Sequence, residues 1–276
     1  NLEVRGHCNM PVISKGEGEG LAKIEGFRIK NFKVLKDVTL GRLWNQQEGE
    51  PLTPMTAVIG KNGTGKSTLF DAFGFLADCL RLGVEAACDN RGRGGFSKIL
   101  TQGCKGPIEI EVYYKEDGNA RPITYELSID IDSSGRPYVL KERLRQRRKG
   151  QRYGWPFSFL ILNSGKGVVW KGEEEGRQID EGKEEFDLPG LMETLKSSEP
   201  KLESKETEIV ELEDRRKLGI ATLGSLKQHP RISAFRRFIE GWYLSYFTPD
   251  AARSLPLAGP QKHLNIHGDN LGNVVQ

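Results

Sequence analysis

Residues 58–76, VIGKNGTGKSTLFDAFGFL, decide the fold. Gly60, Gly65, Lys66 and Ser67 satisfy G-x-x-x-x-G-K-[ST], the pattern of a loop that wraps phosphate. Ahead of it, Ala57-Val58-Ile59 is a short apolar run suited to a buried parallel strand. Behind it, Leu69 to Leu76 is apolar at helical spacing, so the order reads strand, glycine loop, helix. Gly63 and Gly65 let the backbone curl until successive N–H groups point inward at phosphate oxygens. A helix starting near Lys66 adds its positive N-terminal end. The pattern therefore calls for a nucleoside triphosphate, with ATP and Mg²⁺ as the expected ligands. Gly60, Asn62, Gly63, Thr64 and Gly65 form the cradle. Lys66 reaches the β- and γ-phosphates and is the candidate catalytic cation, Ser67 ligates Mg²⁺, and Thr68 donates to the α-phosphate.

Working outward, 276 residues suffice for one large or two small domains with a sizeable core. A net charge of +3 is only mildly basic and neither demands nor excludes nucleic acid. Cys8, Cys79, Cys88 and Cys104 are scattered, with no C-x-x-C pair, which argues against disulfides and zinc and fits a reducing cytoplasm. No stretch approaches a membrane span, and no signal peptide heads the sequence. The first residue is Asn, so a piece of a longer protein is one reading.

Residues 1–20 read as a flexible, polar lead-in. Residues 21–40 alternate well enough for two strands around Lys30-Asn31-Phe32-Lys33. The glycine-rich DNRGRGGFSK (89–98) reads as a plain loop, with an RNA-binding arginine–glycine segment as the alternative. From Pro107 to Trp170 the period becomes two, with DGN, SSG and NSGKG turns, which predicts an antiparallel meander. Its basic end, KERLRQRRKGQR (141–152), sets Arg143, Arg145 and Arg147 on one strand face, with Arg148, Lys149 and Arg152 at the turn. Two accounts stand: a solvated hairpin end, or a row contacting a phosphate backbone.

Residues 172–217 are polar, with weak helical periodicity through Leu191, Leu195, Leu202, Ile209 and Leu212, and IVELEDRR (209–216) reads as a helix surface. In PRISAFRRFIEGWYLSYFTPD, Phe235, Phe238, Ile239, Trp242 and Tyr246 share one helical face, a core-packing stripe stopped by Pro249. His263 and His267 are four apart but lack a third metal ligand nearby.

The runs FRIKNFKVLKDVTLG, TAVIGKNGTGKSTLFDAFGFL, GGFSKILTQGCKGPIEIEVYY and LNIHGDNLGNVV together resemble the start of an ABC-type ATPase head of the RecF, SMC and OLD kind. The resemblance touches residues 21–276. It implies a P-loop α/β core carrying an antiparallel β-lobe (about 107–170), with a helical part over about 186–276. It further implies ATP hydrolysis in the complete protein, a head-to-head homodimer, and coupling to DNA transactions such as repair or phage defence. Lys33 falls where that group more often carries Arg near the base or phosphates, and Lys gives up the bidentate, stacking geometry of guanidinium. The group's hydrophobic-Asp-Glu strand and its signature motif are not visible, so the sequence reads as an N-terminal portion with no turnover of its own. The alternative is a non-hydrolysing, ATP-gated scaffold that regulates a partner effector.

Overall fold

The computed structural model describes residues 3–5, 22–46, 49–53, 55–118, 120–151, 154–171 and 207–242. Its frame is an antiparallel sheet of eight strands. Strands β2 (Lys23–Phe32) and β3 (Leu35–Gly41) form a hairpin. The meander follows as β5 (Ile108–Lys115), β6 (Ile123–Ile131), β7 (Pro137–Gln146), β8 (Phe157–Asn163) and β9 (Lys166–Trp170). β10 (Thr207–Glu211) closes the far edge, and the order is β10-β9-β8-β7-β6-β5-β2-β3. The predicted hairpin and meander are both present, because alternation of apolar and polar residues, strictest in β5, fixes both pairing and face.

The helices cover one face of this sheet. They are α1 (Lys66–Leu82), α2 (Val84–Asp89), α3 (Phe96–Ile99), α4 (Gly219–Leu223) and α5 (Pro230–Glu240). Phe27 of β2 stacks on Phe73 of α1 with ring centroids 4.0 Å apart, and Phe32 meets Phe75 at 5.3 Å. From the C-terminal side, Phe235 of α5 reaches Tyr114 and Tyr125 at 5.4 and 5.0 Å. Phe235 and Ile239 are fully buried, and Phe238 and Trp242 pack against the same core. The expected stripe is therefore core. The helix ends at Glu240 with Gly241 as its C-cap, earlier than the stop expected at Pro249.

Three other expectations change. Ala57–Ile59 does form a strand, β4, but it pairs antiparallel with β1 (Glu3–Arg5), inside the segment read as a flexible lead-in. Ile59 is 58% exposed, because among the described residues no parallel neighbour flanks β4. Residues 209–211 of IVELEDRR belong to β10, an edge strand, not to a helix surface. Val210 is buried while Ile209 is exposed, and the interspersed charges that argued against a strand protect an open edge. Arg143 and Arg145 are buried at 2% and 4% exposure, so neither a solvated hairpin end nor an open phosphate-tracking row describes them. Trp44 and Trp155, contributed by flanking loops, lie over Arg145. Leu191, Leu195, Leu202, Tyr246, His263, His267, Cys8, Arg152 and LNIHGDNLGNVV fall outside the described residues.

Glu142 of β7 joins the sheet to the C-terminal helices. Its carboxylate, fully buried, accepts hydrogen bonds from the backbone N–H groups of Gly219 and Ile220 and from the Tyr125 hydroxyl. Gly219 is needed there, since a Cβ would sit 2.3 Å from Leu162 Cδ1 and 3.0 Å from Glu142 Oε2. Burial pushes the Glu142 carboxyl up to about 7 although the three donors pull it down. An acid whose folded value is raised binds its proton more tightly when folded, so stability falls as pH rises from the unfolded value of roughly 4.3 through about 7. Urea titrations between pH 5 and 8 should show that decline in the wild type. Glu142→Gln should flatten the decline while lowering stability by about 1–3 kcal/mol, because its amide N–H₂ faces donors.

Candidate functional site

The loop that follows β4 turns on two glycines. Gly63 and Gly65 both adopt left-handed φ values, +81° and +95°. A Cβ on Gly63 would meet nothing within 4 Å, so only its backbone angle demands glycine. Gly65 is constrained twice, since a Cβ there would lie 2.9 Å from Leu35 Cδ2 and 3.2 Å from Val34 Cγ2. Gly65 is the N-cap of α1 and has no side chain to bond the first-turn N–H groups. Those N–H groups have no intrahelical acceptor and are free to meet an anion.

Lys66 curls back across the loop, its Nζ donating to the Gly60 carbonyl at 2.6 Å and the Lys61 carbonyl at 2.8 Å. Thr64 Oγ1 donates to the Lys61 carbonyl at 2.8 Å and closes the turn around Asn62 and Gly63. Ser67 is exposed and Thr68 half-buried, both in the first turn of α1. The structure thus brings Gly60 to Thr68 together in one closed loop at the start of α1. These residues fit Mg²⁺ and a triphosphate: backbone donors, one mobile ammonium, and an exposed hydroxyl for the metal. Among the described residues no cluster of His, Cys, Asp and Glu could hold a metal by itself.

Lys33 stands on the β2–β3 turn, which abuts the loop through Val34 and Leu35. Its own φ is +51° and that of Asn31 is +58°, and the turn is held by the Lys33 N–H on the Ile99 carbonyl at 2.6 Å. The Lys33 side chain is directed at Asp71 of α1, Nζ to Oδ2 at 2.6 Å. Asp71 also accepts from Arg93 Nε and Nη2 at 3.1 and 2.9 Å. Arg93 Nη1 continues to Asp78 Oδ2 at 2.8 Å, and Arg91 Nε reaches the same oxygen at 2.9 Å. The chain of charges Lys33–Asp71–Arg93–Asp78–Arg91 therefore runs along one face of the P-loop helix.

Burial alone would raise the Asp71 carboxyl, but hydrogen bonds from Arg93 and Lys33 outweigh it and hold the group below its ordinary value. Burial likewise works against the Arg93 charge, and Asp71 and Asp78 overcome it. The glycine-rich loop carrying Arg91 and Arg93 is thus a clamp on α1, not an open arginine–glycine segment. Sequence reading passed over Arg93, Asp71 and Asp78. The available signal was Asp71 and Asp78 seven residues apart on one helix, hence on one face, with a basic loop following.

Residues 55–276 match the family model described as "AAA domain, putative AbiEii toxin, Type IV TA system". The chain belongs to that family. No curated protein matches it. One solved chain, from work described as "Structural biochemistry of ATP-driven dimerization and DNA stimulated activation of SMC ATPases", is 22% identical, covering 46% of this chain and 72% of that one at a TM-score of 0.27. A superposition so loose fixes no residue's role. Membership in the AAA domain family supports a nucleotide-binding ATPase domain. No helix among the described residues is long and apolar enough to cross a membrane.

For this AAA domain the clamp on the P-loop helix yields a stability prediction. Asp71→Asn leaves Lys33 and the buried Arg93 facing a neutral amide and should destabilise by roughly 3–5 kcal/mol in urea unfolding. In the wild type the Asp71 contribution is present above the unfolded carboxylate value of about 3.9 and is lost as pH falls through its lower folded value. The Asn variant should lack that acid-limb loss.

Proposed function

We propose that this chain is the ATP-binding portion of a RecF/OLD-like ATPase. ATP with Mg²⁺ occupies Gly60–Thr68, and in the complete protein two such heads close on one another around nucleotide. The observation that supports this most is the loop itself: a left-handed Gly65 capping α1, with Lys66 folded over the concavity that a β/γ-phosphate pair would fill. The first-turn N–H groups would orient the phosphates, the Lys66 ammonium, now on the Gly60 and Lys61 carbonyls, would pair with phosphate oxygens, and Ser67 Oγ would hold the metal. Bound Mg²⁺ would supply positive charge to offset that of the triphosphate. Lys33 serves here by holding Asp71, and so by fixing the direction of α1 and its N-terminus.

Hydrolysis and its coupling to DNA transactions are assigned to the complete protein. Glu211 ends β10, and Glu213 and Asp214 shortly precede Arg216, whose carbonyl accepts the Val84 N–H at 2.8 Å just past the C-terminal end of α1, the end opposite the loop.

Titration with Mg²⁺–ATP tests the reading directly. Lys66→Ala should retain the wild-type thermal unfolding midpoint and weaken ATP binding by about tenfold or more, the loss of a charge-assisted phosphate contact. Unchanged affinity in that variant would remove the P-loop assignment. Phosphate release from the purified chain should not exceed that of the Lys66→Ala control. Turnover abolished by that substitution would reveal a catalytic carboxylate within these residues.

A further inference from the structure

The loop between β4 and α1 is anchored unequally at its two ends. Its far end is Lys66, the first residue of α1, and α1 is pinned by the Asp71 ion pairs and by Phe73 and Phe75 against the sheet. Its near end is β4, which stops at Ile59, one residue before Gly60. β4 does not join the eight-stranded sheet. Of its side chains only Val58 packs against the core, while Ala57 and Ile59 are exposed.

A strand must place its backbone N–H and C=O groups somewhere. Among the described residues the strand that pairs with β4 is β1, with Glu3 opposite Ile59, Val4 opposite Val58 and Arg5 opposite Ala57. β1 lies ahead of residues 55–276, the span that the family model matches, so the pairing is a feature of this chain beyond the family pattern. A second tie crosses the loop itself, from Lys66 Nζ to the Gly60 carbonyl at 2.6 Å. On the reading given above, that tie competes with the ligand. An ammonium that turns to phosphate oxygens gives up the Gly60 carbonyl, and the near end of the loop is then left to Val58 and to β1.

We propose that β1 is a positioning strap for the ATP loop. By pairing with β4 it keeps the near end of the loop, and the Gly60–Thr64 backbone that follows, in the conformation that takes Mg²⁺–ATP while Lys66 is drawn away. This role rests on the reading of Gly60–Thr68 as the ATP loop and adds a means of controlling it. The strap acts through backbone groups, so its effect does not depend on which side chains residues 3–5 carry. A loop that is competent only part of the time binds with an affinity reduced by that fraction. A β4 released from β1 has three residues of backbone to re-order before the loop is competent, so release weakens ATP binding and leaves the core intact. Anything that captures residues 3–5 as a strand elsewhere would lower ATP affinity in the same way.

Val4→Pro and Arg5→Pro, made separately in the whole chain, test this role. N–H groups along a strand point alternately to its two sides, so one proline removes a donor to β4 and the other removes a donor facing away. One of the two variants should therefore weaken Mg²⁺–ATP binding by about threefold to tenfold in calorimetric titration, with the wild-type thermal unfolding midpoint retained. The alanine variant at the same position keeps its N–H and should bind as the wild type does. Equal losses with proline and alanine would trace the effect to a side chain and overturn the strap. Hydrogen exchange adds a readout that needs no variant: the β4 amides that face β1 should be protected in the wild type, and free exchange across β4 overturns the strap outright. The responsible proline should release those amides while β5 and β6 stay protected. Lys66→Ala separates the two readings. If it loses affinity while both proline variants keep theirs, the strap is wrong and the loop reading stands. If it binds as the wild type does, the loop reading falls and the strap falls with it.

Discussion

One carboxylate holds the architecture of the P-loop in place. Asp71 sits on the first turns of α1, five residues beyond Lys66, and is gripped from one side by Lys33 and from the other by Arg93. The two cations come from separate loops, one before the phosphate loop in sequence and one after it. Because the carboxylate is buried, each bond is stronger than it would be in water, and loss of any partner strands a charge. The direction of α1, and with it the aim of the unsatisfied N–H groups at its start, is thus fixed by ion pairs in addition to Phe27–Phe73 and Phe32–Phe75 packing.

The antiparallel sheet is the second half of that arrangement, and its two faces do different things. On the helix side it supplies an apolar bed broken by Glu142, whose carboxylate tethers the start of α4. On the other side it carries rows of charge partly roofed by two tryptophans. A strand such as β7 therefore contributes Leu144 and Glu142 to the core and Arg143 and Arg145 to the charged face, with one residue's shift in register enough to exchange them.

What could be read from the sequence was local. The loop before α1 is a contiguous pattern, and the meander announces itself by period-two alternation and turn residues, so the start of α1 at Lys66 and the strands β5 to β9 lie where the pattern put them. The ion chain through Asp71 did not, because Lys33 and Arg93 lie 38 and 22 residues away and only folding joins them. The arginines of β7 read as solvent-facing for a similar reason: Trp44, which helps cover them, is about a hundred residues distant in the chain. β10 was missed since an edge strand with one buried residue in its centre has too short a pattern to outweigh its charges. Of the candidate site residues, Gly60 to Thr68 form one contiguous run in the sequence, whereas the partner of the Lys33 side chain, Asp71, was unforeseen.

The dependence of the core on α5 bears on how the chain is made. Tyr114 and Tyr125, in the middle of the sheet, are closed over by Phe235, more than a hundred residues later. During synthesis the apolar bed of β5 and β6 therefore leaves the ribosome long before its lid exists. At roughly 5–20 residues per second, that interval lasts several seconds to tens of seconds. Such long-range closure makes for slow folding and a nascent sheet that invites pairing with other chains. The charged outer face offers a safeguard in that period, since rows of Arg, Lys and Glu disfavour stacking of one half-built sheet upon another.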